Sequence, residues 1–464
     1  MAVKGFQTIH EPPSEREAKA RPQSLVRMLT RRLHAVLASR AAGRRQHLAT
    51  VAVGISGGVD SSVTALLLKE QGHDVIGVHM SNWEVAEEEG QEACSERDAR
   101  DARKVCEQLG IGFHRISFVR EYWNDVFEPL LQGYQAGGTP NPDVMCNRFI
   151  KFDRFFAHAR ALGADRVATG HYARLAHGSV ASDPSSASST GNSAGQERSP
   201  VPTRLLMGVD AAKDQSYFLS KVRQEALQFC DFPIGHLHKS EVRARAAAAG
   251  LLTATKPDSM GICFIGKRNF ADFLEGYLPQ FPGRFVCADS GRDVGEHRGY
   301  AVYTPGQRAR VSGLQTRWYV VEKDAATNVV KICEGSDHPA LFARSLWTHP
   351  ASASWISGAP PPELVPGRPF RCHARVRHPG ELHPCTVEIE TSPPLRAGAM
   401  RLSFDEPVRG LAEMQAIALY DGDICLGGAT IWERGPTLWD EARALHRVGY
   451  NGGSEHGAMA FVSG

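Results

Sequence analysis

From Ala49 onward the apolar positions switch repeatedly between a continuous run and a helical spacing. "TVAVGI" is a short apolar run and predicts a buried strand. Asp60–Gln71 carries helical spacing, and "DVIGVHM" (Asp74–Met80) predicts a second strand. A helix is expected over Ser95–Leu109, a third strand over Gly112–Phe118 and a helix over Phe149–Leu162. "DRVATGHY" (Asp165–Tyr172) then reads as a strand ending in a loop. Strands alternating with helices specify an α/β fold with a doubly wound parallel sheet. Ligands of such sheets sit outside the carboxyl ends of the strands. "SGGVDSS", "HMSNW" and "TGHY" all fall there.

Further along, an Ala-rich helical run (Glu241–Ala249) precedes "TKPDSMGICF". From Gly283 short apolar strands alternate with Gly/Pro turns, which predicts a small β-rich central domain and then a C-terminal β-barrel. The expected division is an arm over 1–48, a nucleotide-type domain over 49–225, linker helices and the central domain over 226–345, the barrel over 346–434, and a polar tail over 435–464. Residues 178–202 are rich in Ser, Gly and Ala, lack periodicity and read as an inserted mobile loop.

Charge changes this picture at one end only. Residues 1–50 hold ten Lys/Arg against three Glu, a net +7 in a chain of net +2, so the remainder carries −5. Any nucleic-acid surface on the body is therefore a local patch. Arg21–Arg45 contains seven arginines, no acid and an amphipathic Leu spacing, the composition of an organelle transit peptide. The other reading is a basic arm that holds RNA. No apolar run approaches the ~18 residues of a membrane span. Ten cysteines are scattered with no C-x-x-C, so a zinc ribbon is not expected, and a reducing compartment with one or two chemically used thiols fits better than a disulfide framework.

The candidate chemistry begins at Ser56–Ser62. Small residues let backbone N–H groups approach a phosphate, and the helix behind offers its positive end. The Walker lysine and the G-x-G-x-x-G pattern are both absent. S-G-G-x-D-S-S after a first strand resembles the PP-loop of ATP pyrophosphatases. That resemblance implies phosphate contacts from Ser56, Ser61 and Ser62, and Mg²⁺ or pyrophosphate at Asp60. In "GGTPNPDVMCNRFIKF" two prolines present Asp143 and Cys146 just before the expected helix, where a thiol is favoured as thiolate. A buried, inert Cys146 is the competing reading. Cys263, in "DSMGICFIGKRNF", faces the same choice, and at 117 positions from Cys146 its spacing cannot pair the two.

The ordered set SGGVDSS, M-x-N-W, EYW-x-x-VF, TPNPD-x-x-CN, IKF, ATGHY, KDQSYFL, DS-x-GICFIG, FDEPV and CLGG closely resembles the tRNA-specific 2-thiouridylases, from about Ala49 to Glu433. The resemblance implies adenylation of the wobble uridine at C2 in tRNAs for Lys, Glu and Gln, with ATP and Mg²⁺. It implies Cys263 as persulfide carrier, loaded by a cysteine desulfurase or sulfur-relay protein. Cys146 would be the nucleophile that breaks the persulfide, and Asp143 would act on the uridine or as acid/base. One sulfur carries and the other takes up the oxidising equivalent. The nucleotide would be enclosed by Gly54, Ile55, Ser56, Gly57, Gly58, Val59, Asp60, Ser61 and Ser62, with Met80 and with Gly170 at adenine or ribose. tRNA contacts would come from Asn141, Pro142, Asp143, His171, Lys213, Asp214, Gln215, Arg377, His378 and Gln415. The chain would be a monomer, and its Arg-rich arm suggests mitochondria.

Departures touch the RNA side. His378 replaces an aromatic, the loop after GQR (Gln307–Arg308) is short, and Thr-Pro-Gly is missing before Gln415. Three other readings stand beside this one. A PP-loop ligase or amidating enzyme would not need the two cysteines. A non-catalytic RNA-binding scaffold would tolerate loss of Asp60. Alternatively, Asp143, Cys146 and Cys263 could ligate an iron–sulfur cluster that carries the sulfide.

Overall fold

The computed structural model describes residues 49–83, 94–177, 202–258, 270–279, 281–391 and 397–450. The basic arm, residues 178–201, Cys263 and the last residues of the tail lie outside the described residues. The chain divides into Met1–Ala49 and Thr50–Gly464, and every described strand and helix belongs to the second unit.

Five strands form one parallel sheet: β1 (Thr50–Gly54), β2 (Asp74–Ser81), β3 (Gly112–Ser117), β4 (Arg166–Ala168) and β7 (Cys230–Asp231), in the order β3-β2-β1-β4-β7. Val51, Ala52 and Val53 of β1 are wholly buried, because a central parallel strand is covered on both faces. This is why β1 reads as an unbroken apolar run. Helices α1 (Val59–Glu70) and α2 (Cys94–Leu109) follow the first two strands. Order along the sheet reverses between β1 and β4, the point outside whose strand carboxyl ends such sheets bind their ligands.

The strand in "DRVATGHY" ends at Ala168, and Thr169–Tyr172 form the loop expected after it. Two elements differ from expectation. The helix expected from Phe149 starts earlier: α3 (Pro142–Cys146) runs on through π-type turns over Asn147–Arg154 into Phe155–Ala161. β7 was not expected at all. It has two residues, too few for periodicity, and is tied to β4 by Arg166, whose guanidinium donates to both Asp231 carboxylate oxygens at 2.6 and 2.8 Å. The Ala-rich run does form a helix, α4 (Lys239–Ala248), which packs against α1.

A second sheet, β10-β11-β12-β8-β9, is built from β8 (Gly283–Cys287), β9 (Asp293–His297), β10 (Arg308–Ala309), β11 (Trp318–Asp324) and β12 (Val329–Glu334) around Phe285, Val320, Val330 and Ile332. The third sheet closes into a barrel. β13 (Phe342–Thr348) pairs with β17 (Met400–Arg409) on one side and β19 (Ile424–Arg434) on the other. β15 (Phe370–Arg375), β16 (His383–Ile389) and β18 (Ala416–Asp421) complete the round, and β14 (Ser354–Trp355) adds to β19. Leu346, Val387, Leu402, Ile417, Leu419 and Ile431 fill it.

The first half of the chain also enters this sheet. β5 (Ala173–Ala176) and β6 (Arg204–Met207) pair with each other, and β6 pairs with β19 at Leu205 and Leu206. The polar tail begins with an unexpected helix, α5 (Leu438–Tyr450). Thr437 and Asp440 cap it reciprocally: Thr437 Oγ1 accepts from Asp440 N at 3.2 Å while the Asp440 carboxylate accepts from Thr437 N at 3.0 Å.

Candidate active site

β1 delivers the chain to the point where the sheet order reverses, and the turn Ser56–Gly58 hands it to α1. Gly57 has φ +79°, and a Cβ there would lie 2.4 Å from the Asp98 carbonyl oxygen. Only glycine fits both demands. Lys256 fixes the same turn by donating to Gly57 O at 2.9 Å while pairing with Asp98 and Asp101 of α2 at 2.9 and 2.6 Å. Among the hydroxyls, Ser56 is exposed and lies 3.1 Å from Ser61 Oγ. Ser62 is fully buried and donates to Gly58 O at 2.8 Å, so the expected phosphate contact from its hydroxyl is corrected to a structural one. Ile55 and Val59 also point into the core, which leaves only their backbones for a ligand.

Asp60, in the first turn of α1, sits in a charged cluster. Tyr172 OH donates to its Oδ1 at 2.7 Å, and Lys239 Nζ reaches both its oxygens at 2.8 Å. Lys239 also lies 3.1 Å from Asp258, to which Lys213 and Arg243 donate at 2.8 and 2.5 Å. Burial pushes the Asp258 carboxyl up, but the hydrogen bonds from Lys213 and Lys239 outweigh it and hold the group below its ordinary range. Burial and the neighbouring Asp60 charge push the Tyr172 phenol well up, so it stays a donor.

The turn after β4 joins two motifs. A Cβ on Gly170 would lie 2.8 Å from the backbone of Asp60 and Ser61, so this turn packs directly on the start of α1. The next residue, His171, is buried between Phe152 and Phe232, with ring centroids 5.7 Å from each, and bonds Thr169 Oγ1 at 2.6 Å. Burial lowers its pKa well below the usual value. The expected tRNA contact from the His171 side chain is therefore corrected: the ring is a neutral core group. Met80 on β2 flanks the same space, its Cε 3.4 Å from where a Gly54 Cβ would stand.

Asp143 and Cys146 do not precede the helix; they belong to α3. Asn141 caps it, its Oδ1 accepting from Asp143 N at 3.1 Å and Val144 N at 3.2 Å. Pro142 takes the first helical position, where its missing N–H costs nothing. Burial raises the Asp143 carboxyl above its ordinary range, opposed by Lys151 and His378. Cys146 is 3% exposed.

A barrel loop holds this cap. Gln415 Oε1 accepts from Asn141 Nδ2 at 3.0 Å and from Tyr217 OH at 3.3 Å, and Glu413 O accepts from Thr139 N at 2.8 Å. Lys323 of β11 donates to Gly138 O at 2.9 Å, and burial brings its pKa down to about 7. The amide oxygen of Gln415 thus positions Asn141.

Three family models match the chain. A "tRNA methyl transferase HUP domain" covers residues 49–267, its "PRC-barrel domain" 271–334, and an "Aminomethyltransferase beta-barrel domain" 349–431. The tRNA-specific 2-thiouridylase of Alkaliphilus oremlandii is 44% identical over 385 residues, covering 82% of this chain and 96% of the relative. The chain belongs to the tRNA-specific 2-thiouridylase family. The mitochondrial tRNA-specific 2-thiouridylase 1 of Gallus gallus is 42% identical over 420 residues (88% and 96% covered), and that of Mus musculus 43% over 402 (86% and 94%). The PP-loop of this family binds ATP.

Within this thiouridylase framework the expected RNA residues have unequal fates. Arg377 is exposed. His378 packs on Phe218, ring centroids 4.5 Å apart, with Nε2 2.9 Å from Asp214 O. Gln215 Oε1 accepts from Tyr172 N at 3.0 Å. Lys213 is half-buried on Asp258. Asp214 is corrected: it is wholly buried, accepts from Gly208 N, Ser216 N and Ser216 Oγ, and takes a 2.6 Å bond from the buried Arg375. No RNA can reach that carboxylate. Lys239, Tyr172, Lys256 and Arg375 carry roles that sequence reasoning missed. Tyr172 stands inside a quoted motif and Asp258 opens another, whereas nothing around Lys239 marked it. Among the described residues no group of three His, Cys, Asp or Glu is arranged to hold a metal.

Proposed function

We propose that this protein is a tRNA-uridine 2-sulfurtransferase, which uses ATP to activate C2 of the wobble uridine in tRNAs for Lys, Glu and Gln and replaces its oxygen with sulfur. One observation carries the reading: the turn Thr169–Tyr172 touches both halves of the chemistry. Gly170 and Tyr172 lie on Asp60 of the nucleotide cradle, and His171 lies on Phe152 of the helix that bears Asp143 and Cys146.

The C2 oxygen attacks the α-phosphate and pyrophosphate leaves. The terminal sulfur of a Cys263 persulfide then attacks C2, and AMP departs with the oxygen. Cys146 thiolate attacks the inner sulfur of Cys263. A Cys146–Cys263 disulfide forms, the electron pair stays on the sulfur at C2, and a thiol reductant later restores both cysteines. Asp143, whose carboxyl burial raises above its ordinary range, exchanges a proton with the base. Asp60, once released by Lys239, would hold Mg²⁺, which would neutralise charge on the leaving group. Sulfur comes from a desulfurase or relay protein, and the chain acts as a monomer. A mitochondrial location is supported by the acid-free, Arg-rich Arg21–Arg45 and by the vertebrate relatives named mitochondrial. A reporter fused to residues 1–50 that stays cytosolic overturns the location.

The test uses full-length protein, Mg-ATP, a sulfide source and unmodified tRNA(Lys), resolved on a mercury-containing gel that retards thiolated RNA. An ATP-dependent retarded band that is lost in Cys146→Ser is expected. AMP transfer to tRNA with no retarded band overturns the sulfurtransferase reading in favour of a ligase.

A further inference from the structure

Beside Asp60, three cations share two carboxylates. Lys213, Lys239 and Arg243 all lie on Asp258, and among the described residues only Lys239 of the three has a second carboxylate, Asp60. Lys239 is the most enclosed of the three, its side chain 13% exposed. It stands at the first position of α4, where its own N–H donates to Asp210 Oδ2 at 2.9 Å and Glu241 caps the preceding residue from 2.7 Å. Its anchorage is therefore rigid, while its ammonium faces the start of α1.

The cluster already carries more positive than negative charge, three cations on two carboxylates, and the excess grows if Asp60 is drawn away. If Asp60 turns to the substrate's phosphates and their counter-ion, Lys239 loses its closest carboxylate. Asp258 already serves two other cations and cannot replace it. A largely buried ammonium left with only a share of Asp258 is poorly compensated, so the cluster then favours a polyanion such as pyrophosphate. We propose that Lys239, with Lys213 and Arg243, is the receptor for the β- and γ-phosphates and the departing pyrophosphate, and that Asp258 is the internal carboxylate that occupies this receptor until they arrive. The inference rests on the ATP-dependent reading above. It moves Lys213 from the RNA to the leaving group.

The two residues make opposite predictions. Binding of pyrophosphate, ATP and AMP to the full chain is measured by calorimetry, with melting temperature as a check on folding. Lys239→Gln weakens pyrophosphate and ATP by about tenfold or more, the worth of a charge-assisted hydrogen bond, and leaves AMP within about twofold; Lys239→Arg recovers part of the loss. Asp258→Asn tightens pyrophosphate severalfold by removing the competitor. Lys239→Gln binding pyrophosphate as tightly as the unaltered chain, or losing AMP in equal measure, overturns the proposal. Unaltered protein that binds neither ATP nor AMP overturns the nucleotide reading beneath it.

Discussion

Lys213 and Asp214 are adjacent in the chain and live in opposite surroundings. The Lys213 side chain is 40% exposed and reaches Asp258 in the charged cluster beside Asp60; that of Asp214 is 1% exposed and is locked to Arg375 of the barrel strand β15. The first contact can be exchanged for a ligand at small cost, since water still reaches it. The second cannot, because separating a buried pair strands a charge. A shared motif, KDQSYFL, therefore says that both residues matter and does not say which one meets a substrate. Side-chain direction decides that.

The contrast is broken most forcefully at Asp214. Asp214→Asn keeps the shape and removes the charge, leaving Arg375 buried beside Tyr420 without its carboxylate. A loss of about 3–5 kcal/mol is expected in urea unfolding, and a loss under about 1 kcal/mol would mean that the pair is not the weld described. A second buried contact, Lys323 on Gly138 O, sharpens the point through pH. Its folded pKa of about 7 lies below the ordinary 10.5, so between those values the unfolded chain binds the extra proton. Stability contributed by Lys323 therefore rises with pH over that window. Compared with Lys323→Met, the unaltered chain should gain melting temperature from pH 7 to 10; a flat difference would contradict the assignment. The smallest effect belongs to Lys213→Ala, expected to shift stability by less than about 1 kcal/mol while weakening pyrophosphate. A large drop in melting temperature would place Lys213 with Asp214 after all.

Much of the parallel sheet was legible because burial on both faces writes itself as apolar runs, as in Val51–Ile55 and Val75–Val78. β7 was not, since two residues carry no period. α5 does carry a signal in the sequence, the Thr437-x-x-Asp440 cap. The site was legible as motifs and illegible as contacts. Ser62, His171 and Asp214 sit in motifs yet face the core, and their partners set that direction. Arg375 is 161 positions from Asp214, and Gln415 is 274 from Asn141. No window along the chain contains both members of either pair.

β5 and β6 bear on how the molecule can be handled. Ala176 and Arg204 are partners in an antiparallel ladder, so whatever chain connects them leaves and returns at neighbouring points on one sheet. Lengthening a tether between fixed posts is cheap, about 0.6 kcal/mol per doubling. A fluorescent protein, an affinity handle or a new pair of termini could be spliced in there, giving the enzyme a grip for single-molecule work at a point where the sheet itself holds both ends.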